Sequence, residues 1–186
     1  MIILIAGPAG VGKDSVLNKL QMERRELNLQ KVITTTTRPK REYEIPGVHY
    51  NFLEKEQFES LIVKDELIEY AKVHGNYYGS RFLDLDNTLK LSSNVAYIVD
   101  VQGVATFTSK LKPKYDVCSF FISPPSKQQL VDRLVNRNTE TPETLATRLQ
   151  TMEFELSKAG DFDYQIINDD LDEAVWNMYN IITRLN

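Results

Sequence analysis

Hydrophobic and polar positions along this chain alternate with two periods, one typical of strands and one typical of helices. Short β-branched or apolar runs predict buried strands over residues 2–6, 31–35, 67–73, 95–99, 117–122 and 164–167. Apolar residues at helical spacing predict helices over 13–24, within 55–64 and 83–91, and over 104–111, 126–136, 142–159 and 171–185. Because strands alternate with helices, we expect parallel strands joined by right-handed crossovers, which is an α/β fold.

Two regions interrupt this alternation. Residues 36–82 are rich in Tyr, Thr, Arg and Gly and hold short strand-like pieces, which indicates a small mixed α+β insertion. Residues 136–148 are polar and carry arginine, which is typical either of a lid or of a plain surface loop. We therefore predict a single domain over 1–186. Its predicted parts are a core of 1–35, 83–135 and 149–186, the insertion at 36–82 and the lid at 136–148.

The chain begins with a strand, a glycine-rich turn and a helix. The spacing Gly7-x-x-x-x-Gly12-Lys13 is that of a nucleotide triphosphate loop. In such a loop the backbone N–H groups and the helix N-terminus hold phosphate oxygens, and Lys13 adds a charge at the β- and γ-phosphates. The predicted nucleotide-binding residues here are Gly7, Pro8, Ala9, Gly10, Val11, Gly12, Lys13, Asp14 and Ser15.

Composition narrows the class of protein. The chain has 186 residues and a formal net charge of −4, which argues against a nucleic-acid polymer as partner. Its one cysteine, Cys118, lies in an apolar run, so we expect a reduced core residue and neither a disulfide framework nor a Cys-ligated metal. Without a leader-like segment or an apolar run near 18 residues, we expect no membrane partner and a cytoplasmic location.

Five blocks of sequence carry a resemblance to a known family. They are Thr34-Thr-Thr-Thr-Arg38-Pro-Lys-Arg41, Gly47-Val-His-Tyr50-Asn-Phe52, Glu69-Tyr-Ala-Lys-Val-His-Gly-Asn-Tyr77-Tyr78-Gly79-Ser80, Asp100-Val-Gln-Gly103 and Asn168-Asp-Asp-Leu-Asp172. In order and spacing, over nearly the whole chain, they resemble the guanylate kinase family. The resemblance implies a P-loop NTPase-type parallel sheet flanked by helices. It also implies in-line transfer of the γ-phosphoryl group of ATP to GMP, giving ADP and GDP, by a monomer or homodimer.

The resemblance assigns the acceptor side to the insertion and its neighbours. Guanidinium forks and phenol hydroxyls suit a dianionic phosphate, and a carboxylate with a hydroxyl suits the guanine edge. Arg38, Arg41, Tyr50 and Tyr78 would hold the phosphate of GMP. Glu69 and Thr34 would read the base, with Ser80 nearby. The full predicted GMP-binding set is Thr34, Arg38, Arg41, Tyr50, Glu69, Tyr78, Gly79, Ser80 and Asp100.

The donor side resembles the family as well. Arg133, Arg137 and Arg148 correspond to arginines that clamp ATP, and Asn168 to a contact near adenine. The predicted catalytic set is Lys13, Arg41, Arg137 and Arg148, because phosphoryl transfer is catalysed by positioning and by stabilisation of charge.

Two positions depart from the expected pattern. The Ser or Thr that normally follows the loop lysine and binds Mg²⁺ is Asp14 here, and the hydroxyl comes at Ser15. Guanylate kinases usually carry an acidic residue two positions before Asp100, where this chain has Ile98. We hypothesise that the two departures compensate. Asp14 would then act directly or through water at Mg²⁺, with Asp100 in support, because a hard cation needs oxygen ligands.

Two alternatives stay open at this stage. The Gly-Lys-Asp-Ser sequence also resembles the loop of ribose 1,5-bisphosphate phosphokinases, which are related kinases with another phosphorylated acceptor. Guanylate-kinase-like domains also occur as non-catalytic binding modules, which have typically lost the loop lysine. The Glu69 and Tyr78-Gly79-Ser80 blocks favour GMP as the acceptor, and the presence of Lys13 favours an enzyme.

Overall fold

The structure, a computed structural model, describes residues 1–73, 75–135 and 142–185, with the backbone alone described at 133–135 and 142–149. The strands are β1 (Ile2–Ala6), β2 (Leu29–Lys31), β3 (Thr35–Thr36), β4 (Asn51–Phe52), β5 (Leu67–Val73), β6 (Asn76–Arg81), β7 (Asn94–Ile98), β8 (Val117–Ser123) and β9 (Tyr164–Ile167). The α-helices are α1 (Lys13–Glu23), α2 (Lys55–Val63), α3 (Phe82–Leu89), α4 (Gly103–Leu111), α5 (Lys127–Val135), α6 (Pro142–Ser157) and α7 (Leu171–Leu185).

The main sheet has the strand order β2-β7-β1-β8-β9, and every pairing in it is parallel. All five residues of β1 are buried, because the central strand of a sheet covered on both faces meets apolar neighbours on each side. Ile3 and Ile5 pack with side chains of α1 and α7, whereas Ile2 and Leu4 pack with side chains of α3 and α4. The expected α/β fold, a parallel sheet flanked by helices, is confirmed.

A second, four-stranded sheet has the order β4-β3-β6-β5 and mixes one parallel pairing with two antiparallel pairings. Helix α2 belongs to the same part of the chain, and its Phe58 is fully buried against the Tyr77 ring at 5.1 Å between centroids. The predicted single strand over residues 31–35 is wrong. β2 ends at Lys31, and Thr35 pairs with Gly79 in the second sheet, so the chain crosses between sheets within that run.

Cys118 lies in β8 of the main sheet and is 7% exposed and unpaired, as expected for a reduced core residue. Its Sγ is 3.7 Å from Sδ of Met1, and burial raises the pKa of the thiol to about 12. Within the described ranges, no helix is both long enough and apolar enough to cross a membrane.

Candidate active site

The phosphate loop joins the carboxyl end of β1 to the start of α1. Gly12 has φ +97°, a left-handed conformation, and a Cβ there would lie 2.5 Å from Nδ2 of Asn168. Gly7 has φ +142°, and a Cβ there would lie 2.3 Å from the backbone oxygen of Ile122 in β8. Both glycines are therefore required by the backbone and by close neighbours. Their placement brings the loop to the edge of the sheet where parallel α/β folds bind ligands.

The loop is held by its own lysine and by a distant amide. Lys13 Nζ donates hydrogen bonds to the backbone oxygens of Gly7 and Pro8, at 2.6 Å and 3.0 Å. The buried Asn168 donates through Nδ2 to the oxygen of Val11 at 2.7 Å. Asn168 therefore contacts the loop itself in this structure, and its predicted contact near adenine stays a prediction.

Glu155 of α6 is a carboxyl group at this loop that the sequence analysis did not single out. Burial raises the pKa of Glu155, whereas the charge of Lys13 and a hydrogen bond from the backbone of Ala9 act to lower it. An acidic residue 142 positions beyond Lys13 gives no local signal in the sequence, because only the fold brings α6 to the loop.

The two predicted metal-side carboxylates lie in different surroundings. Asp14, in the first turn of α1, is exposed and accepts a hydrogen bond from Lys31 Nζ at 2.8 Å. Asp100, after β7, accepts a hydrogen bond from the backbone N–H of Gln102 at 2.8 Å. Among the described residues, no group of three or more His, Cys, Asp or Glu side chains could hold a metal ion. The protein therefore has no ready-made metal cage in its described part.

A cavity of about 540 Å³ opens between the second sheet and the end of β7; we call it the Glu69 cavity. It brings together every predicted acceptor residue except the two arginines, and Ile98 also contributes to its wall. The predicted residues that line it are Thr34, Tyr50, Glu69, Tyr78, Gly79, Ser80 and Asp100.

An irregularity in the second sheet explains how an acid reaches this cavity. Leu67 pairs with Arg81 and Glu69 pairs with Ser80, so Ile68 is an extra residue on β5. Leu67 and Ile68 are both buried, whereas Glu69 lines the cavity directly opposite Ser80. Burial, with a smaller contribution from the charge of Asp100, raises the pKa of Glu69 from 4.5 to about 6.

Basic side chains are organised by a buried acid beside this cavity. Arg38 donates from Nη1 and Nη2 to the two carboxylate oxygens of Glu44, at 3.0 Å and 2.6 Å. The backbone N–H of Arg41 donates to the same carboxylate at 2.8 Å, and Arg41 Nη1 donates to the Tyr43 hydroxyl at 2.8 Å. The guanidinium of Arg38 lies 5.7 Å from the centre of the Tyr50 ring. The hydrogen bonds from Arg38 are the largest of the effects that lower the pKa of Glu44 to about 2.

A second cavity, of about 510 Å³, lies between the start of α1 and this basic segment; we call it the Lys31 cavity. Asp14 and Lys31 line it on one side, and Tyr43 and Glu44 on the other. Thr34, Tyr50 and Ile98 line both cavities, so the two spaces adjoin. The two adjoining cavities therefore connect the start of α1 with Glu69.

Three predicted arginines are not tested by this geometry. Arg137 lies outside the described residues, as do the side chains of Arg133 and Arg148. The predicted lid also lies outside the described residues at 136–141, and only the backbone of its remaining residues, 142–148, is described.

Comparisons with known proteins show the family of this chain. The guanylate kinase family model matches residues 1–185. The chain belongs to the guanylate kinase family. It is 38% identical to a guanylate kinase of Brucella melitensis biotype 1 over 182 residues, which is 98% of this chain and 81% of that protein. It is 37% identical to one of Mycoplasmoides gallisepticum over 186 residues, which is 100% of this chain and 93% of that protein.

Solved structures lead to the same family. The crystal structure of a guanylate kinase from Anaplasma phagocytophilum superposes with a TM-score of 0.74 at 30% identity, covering 99% of this chain and 85% of that chain. The resemblance seen in the sequence blocks is thereby confirmed. Besides Glu155, the residues of the site that were not predicted from the sequence are Lys31, Tyr43 and Glu44. For Glu44 there was a signal, because an acid three residues after the basic pair Lys40 and Arg41 can form an internal ion pair with a neighbouring basic residue.

Proposed function

We propose that this chain is a guanylate kinase, an enzyme that transfers the γ-phosphoryl group of ATP to GMP and forms ADP and GDP. The observation that carries the proposal is the Glu69 cavity. A half-buried carboxyl group, a serine and a threonine line it beside Tyr50 and Tyr78, and the adjoining cavity reaches the start of α1. Guanine offers two donors next to one acceptor, and this set of groups matches that edge.

On the acceptor side, Glu69 accepts from the guanine N1–H and N2–H₂ groups while Thr34 donates to O6. Arg38, Arg41, Tyr50 and Tyr78 hold the phosphate of GMP, because guanidinium forks and hydroxyls match its oxygens. Glu44 aligns Arg38 through its paired hydrogen bonds, so that the guanidinium does not have to be ordered when substrate binds. Ser80, Gly79 and Asp100 complete the wall around the base.

On the donor side, the backbone of residues 7–15 and Lys13 hold the phosphates of ATP. Asn168 supports this loop through Val11. Arg133, Arg137 and Arg148 add positive charge at the transferring group. The acceptor phosphate is already anionic, so the reaction needs alignment and charge stabilisation and no strong general base. ATP and GMP are both required for the site to be complete.

Mg²⁺ is the metal that we propose with ATP. The oxygens of Asp14 and Asp100 are chemically suited to a hard cation, and the absence of a three-acid cluster among the described residues fits an ion held mainly by nucleotide phosphates. When bound, Mg²⁺ neutralises phosphate charge during transfer. Asp14 would contact it directly or through water, and Asp100 through water.

The experiment that tests the function is a coupled assay of ADP release with ATP, Mg²⁺ and a panel of acceptors. The panel contains GMP, dGMP, AMP, UMP and ribose 1,5-bisphosphate. We expect activity with GMP, alone or with dGMP. Activity only with the sugar bisphosphate would place the chain with the related kinases. A folded protein that is inactive with every acceptor would favour a non-catalytic binding module. The cytoplasmic location and the monomer or homodimer remain predictions.

A further inference from the structure

We infer that Lys31 is a positioning residue of the phosphate site, which neutralises Asp14 and so allows a polyphosphate to bind beside it. The inference rests on the proposed function, because it concerns binding of the nucleotide donor. It assigns a role to a residue that lies in none of the sequence blocks of the family resemblance. It also gives the unusual acid after Lys13 a partner of opposite charge.

The geometry brings the two side chains together from separate elements. Lys31 is the last residue of β2, where it pairs with Ala96 of β7, and Asp14 is in the first turn of α1. The Lys31 Nζ atom lies 2.8 Å from Oδ1 of Asp14, with side chains 37% and 68% exposed. Both side chains line the Lys31 cavity, so the ion pair faces the space between α1 and the acceptor residues.

The carboxylate of Asp14 makes a small contribution to the electrostatics of this cavity. Burial is the main cause of the raised pKa of Tyr50, and the carboxylate of Asp14 contributes to it in the same direction. The wall also contains Ile98, whose apolar surface does not screen charge as water does. A carboxylate here repels an incoming polyphosphate, because like charges interact more strongly near a weakly polar wall. A lysine that holds this carboxylate cancels most of that repulsion.

Two charged groups near this ion pair, one in the phosphate loop and one in the wall of the Lys31 cavity, contact different partners. Lys13 donates to the backbone oxygens of Gly7 and Pro8, and Glu44 accepts from Arg38 and from the backbone of Arg41. Among the described residues, Lys31 is the cation that contacts Asp14. An ion pair this exposed adds little to folding stability, so a role in stability alone does not account for its place in the cavity.

The test is a double-mutant cycle on binding of ADP, measured by isothermal titration calorimetry with and without Mg²⁺. Without metal, we expect Lys31→Gln to weaken ADP binding about tenfold when Asp14 is present. Without metal, Asp14→Ser should also bind ADP at least as tightly as the unchanged protein, because the repelling carboxylate is gone. Lys31→Gln should then have less than about a threefold effect in the Asp14→Ser background, because there is no carboxylate left to neutralise.

Mg²⁺ provides a second readout. Because the ion also neutralises negative charge at this site, the loss caused by Lys31→Gln should be smaller with Mg²⁺ than without it. High salt should reduce the loss as well, because these side chains are partly exposed. Lys31→Arg keeps the charge and should retain most of the metal-free affinity. Lys19→Gln is the matched control, because Lys19 lies in the same helix α1 as Asp14 and forms an ion pair with Asp172 of α7. We expect this change to alter the affinity for ADP by less than about twofold.

Equal losses from Lys31→Gln in both backgrounds would overturn the inference, because they would mean that Lys31 acts on ADP independently of Asp14. No loss in either background would also overturn it. Thermal melting of each variant by circular dichroism checks that the fold is intact. Failure of the proposed function has a different signature, in which the unchanged protein binds ADP but does not phosphorylate GMP.

Discussion

Glu69 is a carboxyl group in a partly desolvated cavity, and burial with the nearby charge of Asp100 raises its pKa from 4.5 to about 6. Only the ionised form can accept from both guanine donors. Bound GMP stabilises that ionised form, so the pKa in the complex lies below the pKa in the free enzyme. Protonation of Glu69 in the free enzyme therefore competes with binding of GMP at mildly acidic pH.

We expect the KM for GMP to rise as the pH falls below about 6, by up to about tenfold per pH unit while only the free enzyme is protonated. Steady-state kinetics between pH 5 and pH 8, at saturating ATP, will measure this dependence. The phosphate of GMP also titrates near pH 6, so the slope must be compared with that of a variant that cannot titrate at position 69.

Glu69→Gln supplies this comparison. Its amide replaces one acceptor by a donor, so we expect the KM for GMP to increase roughly 100-fold at pH 8. The remaining pH dependence of the variant reports the substrate phosphate alone. If the variant and the unchanged enzyme have the same slope below pH 6, titration of Glu69 does not control GMP binding.

Glu44 is expected to act on GMP through the arginine that it holds. Replacing it by Gln weakens the paired hydrogen bonds to Arg38 and removes the charge that aligns the guanidinium. We expect the KM for GMP to rise about tenfold, with a smaller change in kcat, because positioning is lost while the arginine remains. Glu42→Gln, two positions away and exposed, is the matched control and should leave both constants within about twofold. An unchanged KM in Glu44→Gln would show that Arg38 needs no such alignment.

At the scale of elements, strong hydrophobic periodicity was sufficient to predict where helices and strands occur. It was not sufficient to predict which strands pair with each other. The strand at 2–6 and helices such as the one starting at Pro142 begin where the sequence predicts. The threonine run after Lys31 has high strand propensity, but propensity does not specify a partner strand. The backbone N–H of Val32 still bonds to Ala96 of the main sheet, whereas that of Asn51 bonds to Thr34. The change of sheet is therefore decided by long-range contacts.

The same limit applies to the site. Residues inside recognisable blocks were predicted, and the Glu69 cavity brings together the predicted acceptor residues other than Arg38 and Arg41. Lys31 and Glu44 were not predicted, because a charged residue in a single sequence is normally solvated. Their importance comes from partners: Asp14 is 17 positions from Lys31 and belongs to another element.

Helix α2 packs against the second sheet through Phe58, which is fully buried and stacks on the Tyr77 ring. Phe58→Ala should lower the free energy of unfolding by about 3–5 kcal/mol, because the stacked Tyr77 ring and its surroundings lose contact. Urea denaturation will measure the change. Val63→Ala on the same helix is the control, since Val63 is 87% exposed and should change stability by less than about 0.5 kcal/mol. A loss of under about 1 kcal/mol in Phe58→Ala would contradict this assignment of the core.

At the scale of the molecule, the Glu69 cavity and the Lys31 cavity lie between the second sheet and the main-sheet side of the protein. A phosphoryl transfer enzyme must exclude water when both substrates are present, or ATP would be hydrolysed. We therefore expect residues 36–82 to move toward the phosphate loop when a bisubstrate analogue occupies both sites. Small-angle scattering should give a smaller radius of gyration with the analogue than without it. The same radius in both states, at saturating analogue, would count against closure, and ADP alone serves as the control for partial occupancy.

The reaction rate of the single cysteine can report opening of the main sheet. Cys118 is buried in β8, and burial raises the pKa of its thiol to about 12, so little thiolate is available to react in the folded protein. Thiol reagents will therefore react with Cys118 when the main sheet opens. Movement of the second sheet alone will not change the rate of this reaction. A fluorescent label can accordingly be attached at one engineered surface cysteine without first removing the natural one. Burial of the one natural thiol therefore makes the protein suitable for site-specific labelling in single-molecule experiments.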